Sequence, residues 1–141
     1  MYENYTRQAL PSKNYRELLG SAICIFNSNN AFIIENILKN DDKSQYNWYN
    51  LIDRTSGCLK SPIRETIIEA SENSIVNLFD SICEKRNRII HSFQITDTDG
   101  EQRLATKNKS NVQYVITEEF LKDFIQENEQ LSTELHRFRG Y

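Results

Sequence analysis

Glycine and proline are scarce in this chain, four and two among 141 residues. So few turn formers argue against a turn-rich β fold and favour helices. Cysteine is sparse too. Cys24, Cys58 and Cys83 stand far apart, no C-x-x-C occurs, and neither His91 nor His136 lies at zinc-ligand spacing from any of them. A structural zinc site is therefore not expected, nor any other metal or cofactor. An odd number of thiols without framework spacing suits a reducing cytoplasm better than an oxidising compartment. The opening "MYENYTRQAL" lacks the basic-then-apolar layout of a signal sequence. Long apolar runs are missing as well. The most apolar stretch, "LLGSAICIFNSNNAFIIENIL", is broken by Asn27, Asn29 and Asn30 and does not read as a membrane span. The expectation is a cytoplasmic protein with no membrane partner.

Nor is there an excess of positive charge. The formal net charge is −3, so no global basic field holds a long nucleic acid. Any nucleic-acid site must be a local patch. The excess of acid sits late, between Glu118 and Glu134.

What is present suits one compact domain spanning residues 1–141, with hydrophobic residues at 38% and plentiful aromatics. Pro11 and Ser12 open a first helix. Tyr15, Leu19, Ala22, Phe26, Ile33 and Ile37 recur at helical spacing, with Asn29 or Asn30 as the lapse, and predict one long helix over 13–39. "NDDKS" reads as a loop. "QYNWYNLIDRTS" predicts a shorter helix with Trp48, Leu51 and Ile52 on its apolar face and Gly57 as its stop. Ser61 is the expected cap of a further short turn, with Pro62 in first helical position. A third main helix is expected over 72–92, its stripe built from Ile75, Phe79, Ile82, Ile89 and Phe93. The segment "QITDTDGEQRLATKNKSNVQYVIT" turns β-branched and alternating, which predicts a β-hairpin or an ordered loop. Thr117 caps the last helix, with Glu118 and Glu119 in its first turn, Phe120, Phe124 and Leu131 on its apolar face, and a frayed end at "HRFRGY". The fold class is mainly α: an antiparallel helical bundle with a small β excursion before its last helix.

One stretch conflicts with pure core building. In "EKRNRIIHSF", residues 84–93, Arg86 falls seven residues from both Phe79 and Phe93 and so takes a slot in the apolar stripe. A guanidinium cannot be buried there unpaired without a cost of several kcal/mol. Either a buried acid matches it, or the stripe opens onto a cleft or a partner subunit. Asn87 and His91 are four apart and share a face on which they can hydrogen-bond. Arg86 and His91 are separated by about 140° and about 7.5 Å along the axis, a gap the long arginine can largely close. The bland alternative is a helix end whose arginine makes an intramolecular ion pair and whose histidine favours the C-terminal carbonyls.

The pattern R-N-x-x-x-H near the end of a bundle helix resembles the R-x(4–6)-H motif of HEPN domains, with Arg86, Asn87 and His91 matching it residue by residue. The resemblance implies a homodimer whose motif helices meet across a shared cleft. It also implies a metal-independent endoribonuclease of the toxin or phage-defence type. Elementary chemistry makes the same demand. Cleaving RNA without metal needs a base for the 2′-OH proton, an acid for the leaving 5′-oxygen and a cation for the charge on phosphate. One histidine per chain cannot easily serve as acid and base at once, and a two-fold dimer doubles the supply. No carboxylate cluster on the motif helix stands ready for Mg²⁺.

Further residues fill out the expectation. Lys85 and Arg88 are candidates for binding the substrate phosphate, although Glu84 and Arg88 also suit a plain surface pair. "DTDGEQ" lacks the glycine and glutamate placement of a calcium loop and reads as a turn. Arg103, Lys107 and Lys109 could touch RNA but read more readily as a solvated loop, and Trp48 and the tyrosines as core or dimer contacts. Some HEPN toxins with a nucleotidyltransferase antitoxin carry R-x4-H-x-Y, whose tyrosine is modified to silence them. Here Phe93 stands in that place, so a partner antitoxin or regulator would act otherwise. The alternatives to a ribonuclease are a catalytically silent HEPN-like dimer serving as a binding or regulatory module, and an unrelated helical interaction protein in which R-N-x-x-x-H is accidental.

Overall fold

The computed structural model describes residues 2–54, 59–67 and 74–139. Among them are five helices, α1 (Lys13–Lys39), α2 (Trp48–Ile52), α3 (Lys60–Thr66), α4 (Ser74–Ile90) and α5 (Glu118–Arg139). Three strands, β1 (Phe93–Thr96), β2 (Gln102–Lys107) and β3 (Gln113–Ile116), stand between α4 and α5. The protein is mainly helical, and no described helix is long and apolar enough to cross a membrane. Cys58, the expected stop at Gly57 and the expected start at Glu72 lie outside the described residues.

α1 begins where the sequence places it. The Ser12 hydroxyl accepts from the Tyr15 N–H at 3.2 Å, and the helix runs to Lys39. Its stripe of Ala22, Phe26, Ile33, Ile34 and Ile37 is buried. Asn29, the apparent lapse, is buried too. Its Nδ2 donates to the Asn128 carbonyl at 2.8 Å and to Asn128 Oδ1 at 3.1 Å, pinning α1 to α5 with buried polar groups that are satisfied.

The two long helices run in the same direction. Asn14 meets Glu118, Asn29 meets Asn128, and Arg139 approaches Glu35. This corrects the expectation of a wholly antiparallel bundle. The intervening sheet carries the chain back to the start of α1 before α5 begins. That sheet contains the expected β-hairpin and adds a third strand: its order is β1-β2-β3, antiparallel throughout. The "DTDG" turn closes its first hairpin. Arg103 grips Asp99 through two bonds of 2.8 Å and reaches Asp97 at 2.8 Å. Those contacts hold the Asp99 carboxyl down at about 2.

Other boundaries shift for local reasons. α3 starts at Lys60, after Leu59, rather than at a Ser61 cap. Leu59 is fully buried and Lys60 pairs with Asp80 of α4 at 3.2 Å, which draws the chain into the helix before Ser61. Pro62 is still tolerated within the first turn, where N–H groups lack helical partners. In α2 only Leu51 is buried; Trp48 and Ile52 are 36% and 40% exposed and do not complete the expected apolar face. α5 stays helical through Arg139 instead of fraying. Its last turns are held by the His136 ring, 4.8 Å from the Phe32 ring, and by the Arg139 guanidinium, 5.6 Å from the same ring.

Tyr15 ties the sheet to the helices. Its hydroxyl donates to the Ile116 carbonyl at 2.6 Å and accepts from the Leu104 N–H at 3.1 Å. Burial pushes the phenol pKa up. Its stabilisation is thus complete below about pH 10, the unfolded phenol value, and is lost as pH rises through the folded one. Tyr15→Phe removes both bonds inside the core and should cost about 1–3 kcal/mol, read as a lower urea midpoint at unchanged slope.

Candidate functional site

Arg86 and Asn87 sit on the last turn and a half of α4, and His91 follows its end. That helix is amphipathic, burying Ile75, Val76, Phe79, Ile82, Cys83 and Ile89. Arg86 occupies the slot in the stripe that the heptad spacing from Phe79 assigns it. It is half-buried. Its guanidinium lies 5.5 Å from the centroid of the Phe26 ring, and its Nη1 donates to Asn87 Oδ1 at 3.2 Å. Among the described residues no carboxylate pairs with it. The arginine is held by an aromatic face and an amide oxygen, neither of which carries the negative charge to cancel its own. A cation over a ring gains about 0.5–1 kcal/mol at a partly exposed site.

Phe26 is the residue the sequence reading did not connect to the site. It lies sixty positions away on α1 and is almost wholly buried, stacked at 6.3 Å on both Phe79 and Phe124. Nothing in the motif marks it. Only the packing of α1 across α4 brings the ring beneath Arg86.

α4 ends at Ile90. The His91 N–H donates to the Asn87 carbonyl at 2.9 Å, and the Ser92 hydroxyl donates to the Ile89 carbonyl at 2.6 Å, so two terminal carbonyls are satisfied. His91 itself is exposed, and among the described residues its ring makes no hydrogen bond. Asn87 and His91 are joined through the backbone, not through the side-chain bond their spacing allows. The Asn87 side chain turns to Arg86 instead. Phe93 is not the last member of the helical stripe. It opens β1 and is 44% exposed, beside Ile90 at 49%. Two large apolar side chains thus flank His91 in sequence and face solvent.

The two flanking cations are engaged elsewhere. Lys85 makes an ion pair with Glu127 of α5. Around it an open groove of about 600 Å³ is lined by Asp123, Gln126, Glu127, Glu129, Gln130 and Thr133, a surface richer in acid than in base. Arg88 Nη1 donates to the Lys107 carbonyl at 2.8 Å, and its Nε lies 3.7 Å from Glu84, the expected helix pair. Among the described residues no group of three or more His, Cys, Asp or Glu side chains is arranged to hold a metal ion.

The arrangement therefore brings Arg86 and Asn87 into direct contact, sets His91 free in solvent at the helix end, and ties Lys85 and Arg88 into the protein's own framework. The chain matches no protein-family model, no curated protein and no solved structure.

Proposed function

We propose that this protein is a metal-independent endoribonuclease of HEPN-like design, working in the cytoplasm as a homodimer that gathers two copies of Arg86, Asn87 and His91 around one RNA phosphate. The observation that carries the reading is Arg86. A half-buried arginine in an apolar stripe, seated on Phe26 and without a carboxylate partner among the described residues, is a cation kept available for an anion from outside the chain.

The chemistry follows from the side chains. His91 of one protomer takes the proton of the ribose 2′-OH, and the 2′-oxygen attacks the adjacent phosphorus. The bond from phosphorus to the 5′-oxygen breaks, and the second protomer's imidazolium gives that oxygen its proton. The products are a 2′,3′-cyclic phosphate and a 5′-hydroxyl. Arg86 stays protonated throughout and stabilises the charge gathering on the non-bridging oxygens with its planar fork. Asn87 fixes that fork. Lys85 and Arg88 have a secondary place here, because each must exchange Glu127 or the Lys107 carbonyl to hold phosphate. An antitoxin or regulatory protein belongs to the same reading, and with Phe93 in place of tyrosine it cannot act by modifying a hydroxyl there.

The second reading is a silent dimer that binds without cutting. The Asn87 side chain favours it, since it engages Arg86 and leaves the His91 ring unoriented within one chain. One experiment separates the two. The purified protein should sediment as a dimer at micromolar concentration and cut RNA in excess EDTA. A dimer that binds RNA without cutting it supports the silent module, and a monomer removes the composite site altogether.

A further inference from the structure

Strand register divides the small sheet into two faces. Leu104, Thr106 and Ile116 share the face turned to the core, where Thr106 and Ile116 are fully buried and Tyr15 bonds the backbone of Leu104 and Ile116. The alternate positions fall on the opposite face. Phe93 pairs with Ala105, Ala105 with Val115, and Ile95 with Arg103, so these five side chains stand together. Phe93 is 44% exposed, Ile95 and Val115 are half-buried, and Ala105 at the centre is buried, so the ring of Phe93 is the part of this face that meets water. No helix of the described chain accounts for an aromatic ring left in water there.

The charges on this face are graded along β2. At the far end Arg103 is tied to Asp97 and Asp99, which place acid beside it. At the near end Lys107 is exposed. The bond from Arg88 to the Lys107 carbonyl fixes that strand end against the last turn of α4, the turn that carries Arg86 and Asn87. The cationic end of the face thus adjoins the motif, and the aromatic lies one strand step beyond it.

We propose that this outer sheet face binds single-stranded RNA, with Lys107 on the backbone phosphate and the Phe93 ring stacked on the base that follows the site of cleavage. The inference rests on the ribonuclease reading and adds to it the strand's path and the kind of substrate. An exposed ring on an open sheet stacks an unpaired base regardless of its identity. A duplex keeps its bases stacked on one another and cannot use the ring. The acid at Asp97 and Asp99 repels a polyphosphate, so the footprint on the face ends before that turn, within one or two nucleotides of the motif. A cation beside an exposed ring complements a phosphate joined to an unpaired base.

The test uses the full chain with His91→Ala, which holds RNA without cutting it, and a fluorescein-labelled single-stranded RNA followed by anisotropy. Adding Phe93→Ala should weaken binding about tenfold, and Phe93→Trp should restore it. Lys107→Glu should weaken binding and lower the salt dependence by about one released ion. Its side chain is exposed, so that loss reports contact and not unfolding. Duplex RNA of the same sequence should bind less tightly. If Phe93→Ala and Lys107→Glu bind as tightly as their parent while the unaltered protein cuts RNA, the sheet face is no RNA surface and the ribonuclease reading stands. If Phe93→Ala turns the dimer into a monomer, a second copy covers the face and the proposal is overturned. If the unaltered protein neither binds nor cuts RNA, both readings fall.

Discussion

Replacing His91 with alanine should lower RNA cleavage by roughly 10²-fold or more, the usual contribution of a general acid or base. The fold should survive. His91 lies in solvent just past the end of α4, and the bond it contributes there is made by its backbone N–H, which alanine keeps. Arg86→Ala should cost a comparable factor, because charge stabilisation at phosphate is of similar size. It should also cost about 0.5–1 kcal/mol of stability through the lost contact with Phe26. Arg86→Lys keeps the charge but not the planar fork, so it should recover stability better than activity. Asn87→Ala should do less than either, since Asn87 orients the guanidinium and does not touch the migrating proton. Single-turnover rates on a labelled RNA, beside urea melts of each variant, separate the two kinds of loss. Full activity in His91→Ala contradicts the assignment.

Phe26→Ala should be the most destabilising of these substitutions, at about 3–5 kcal/mol. The ring is 2% exposed and sits between Phe79 of α4 and Phe124 of α5, so it joins the three longest helices at one point. Truncation opens a cavity there and removes the surface on which Arg86 rests. Phe26→Leu separates the two effects. It refills most of the volume and should cost far less stability, while it still removes the aromatic face. If that face positions Arg86, Phe26→Leu folds normally and cuts RNA more slowly. Unchanged cleavage in a folded Phe26→Leu protein would show that the ring serves the core alone. The measurements are urea denaturation for stability and initial cleavage rates at saturating RNA.

The parts of the fold legible in the sequence are those set by local rules. α1 and the start of α5 follow from side-chain caps at Ser12 and Thr117 and from a 3.6-residue apolar repeat, both of which a linear reading can see. The slot of Arg86 in the α4 stripe is equally local. What escaped the reading depends on contacts between distant segments. The third strand exists because β3 has β2 to pair with, a partner that its four β-favouring residues cannot name by themselves. The ordered end of α5 depends on Phe32, more than a hundred residues earlier. Phe93 keeps heptad spacing with Arg86, so periodicity extends the stripe through it. The helix stops at Ile90 instead, where the chain turns into β1 and Ser92 takes the Ile89 carbonyl. At the site itself, the spacing of Asn87 and His91 permits a side-chain bond, but the guanidinium next door is the stronger partner for a single amide oxygen.

The central claim is that an imidazole activates the 2′-OH of RNA and that no metal takes part. It is tested most directly by giving the unaltered protein, in excess EDTA, an RNA whose cut site carries either a 2′-OH or a 2′-O-methyl group, and by identifying the ends formed. The expected result is cleavage of the first strand alone, leaving a 2′,3′-cyclic phosphate and a 5′-hydroxyl. Cleavage of the methylated strand at an equal rate, or activity that vanishes in EDTA and returns with Mg²⁺, would contradict it.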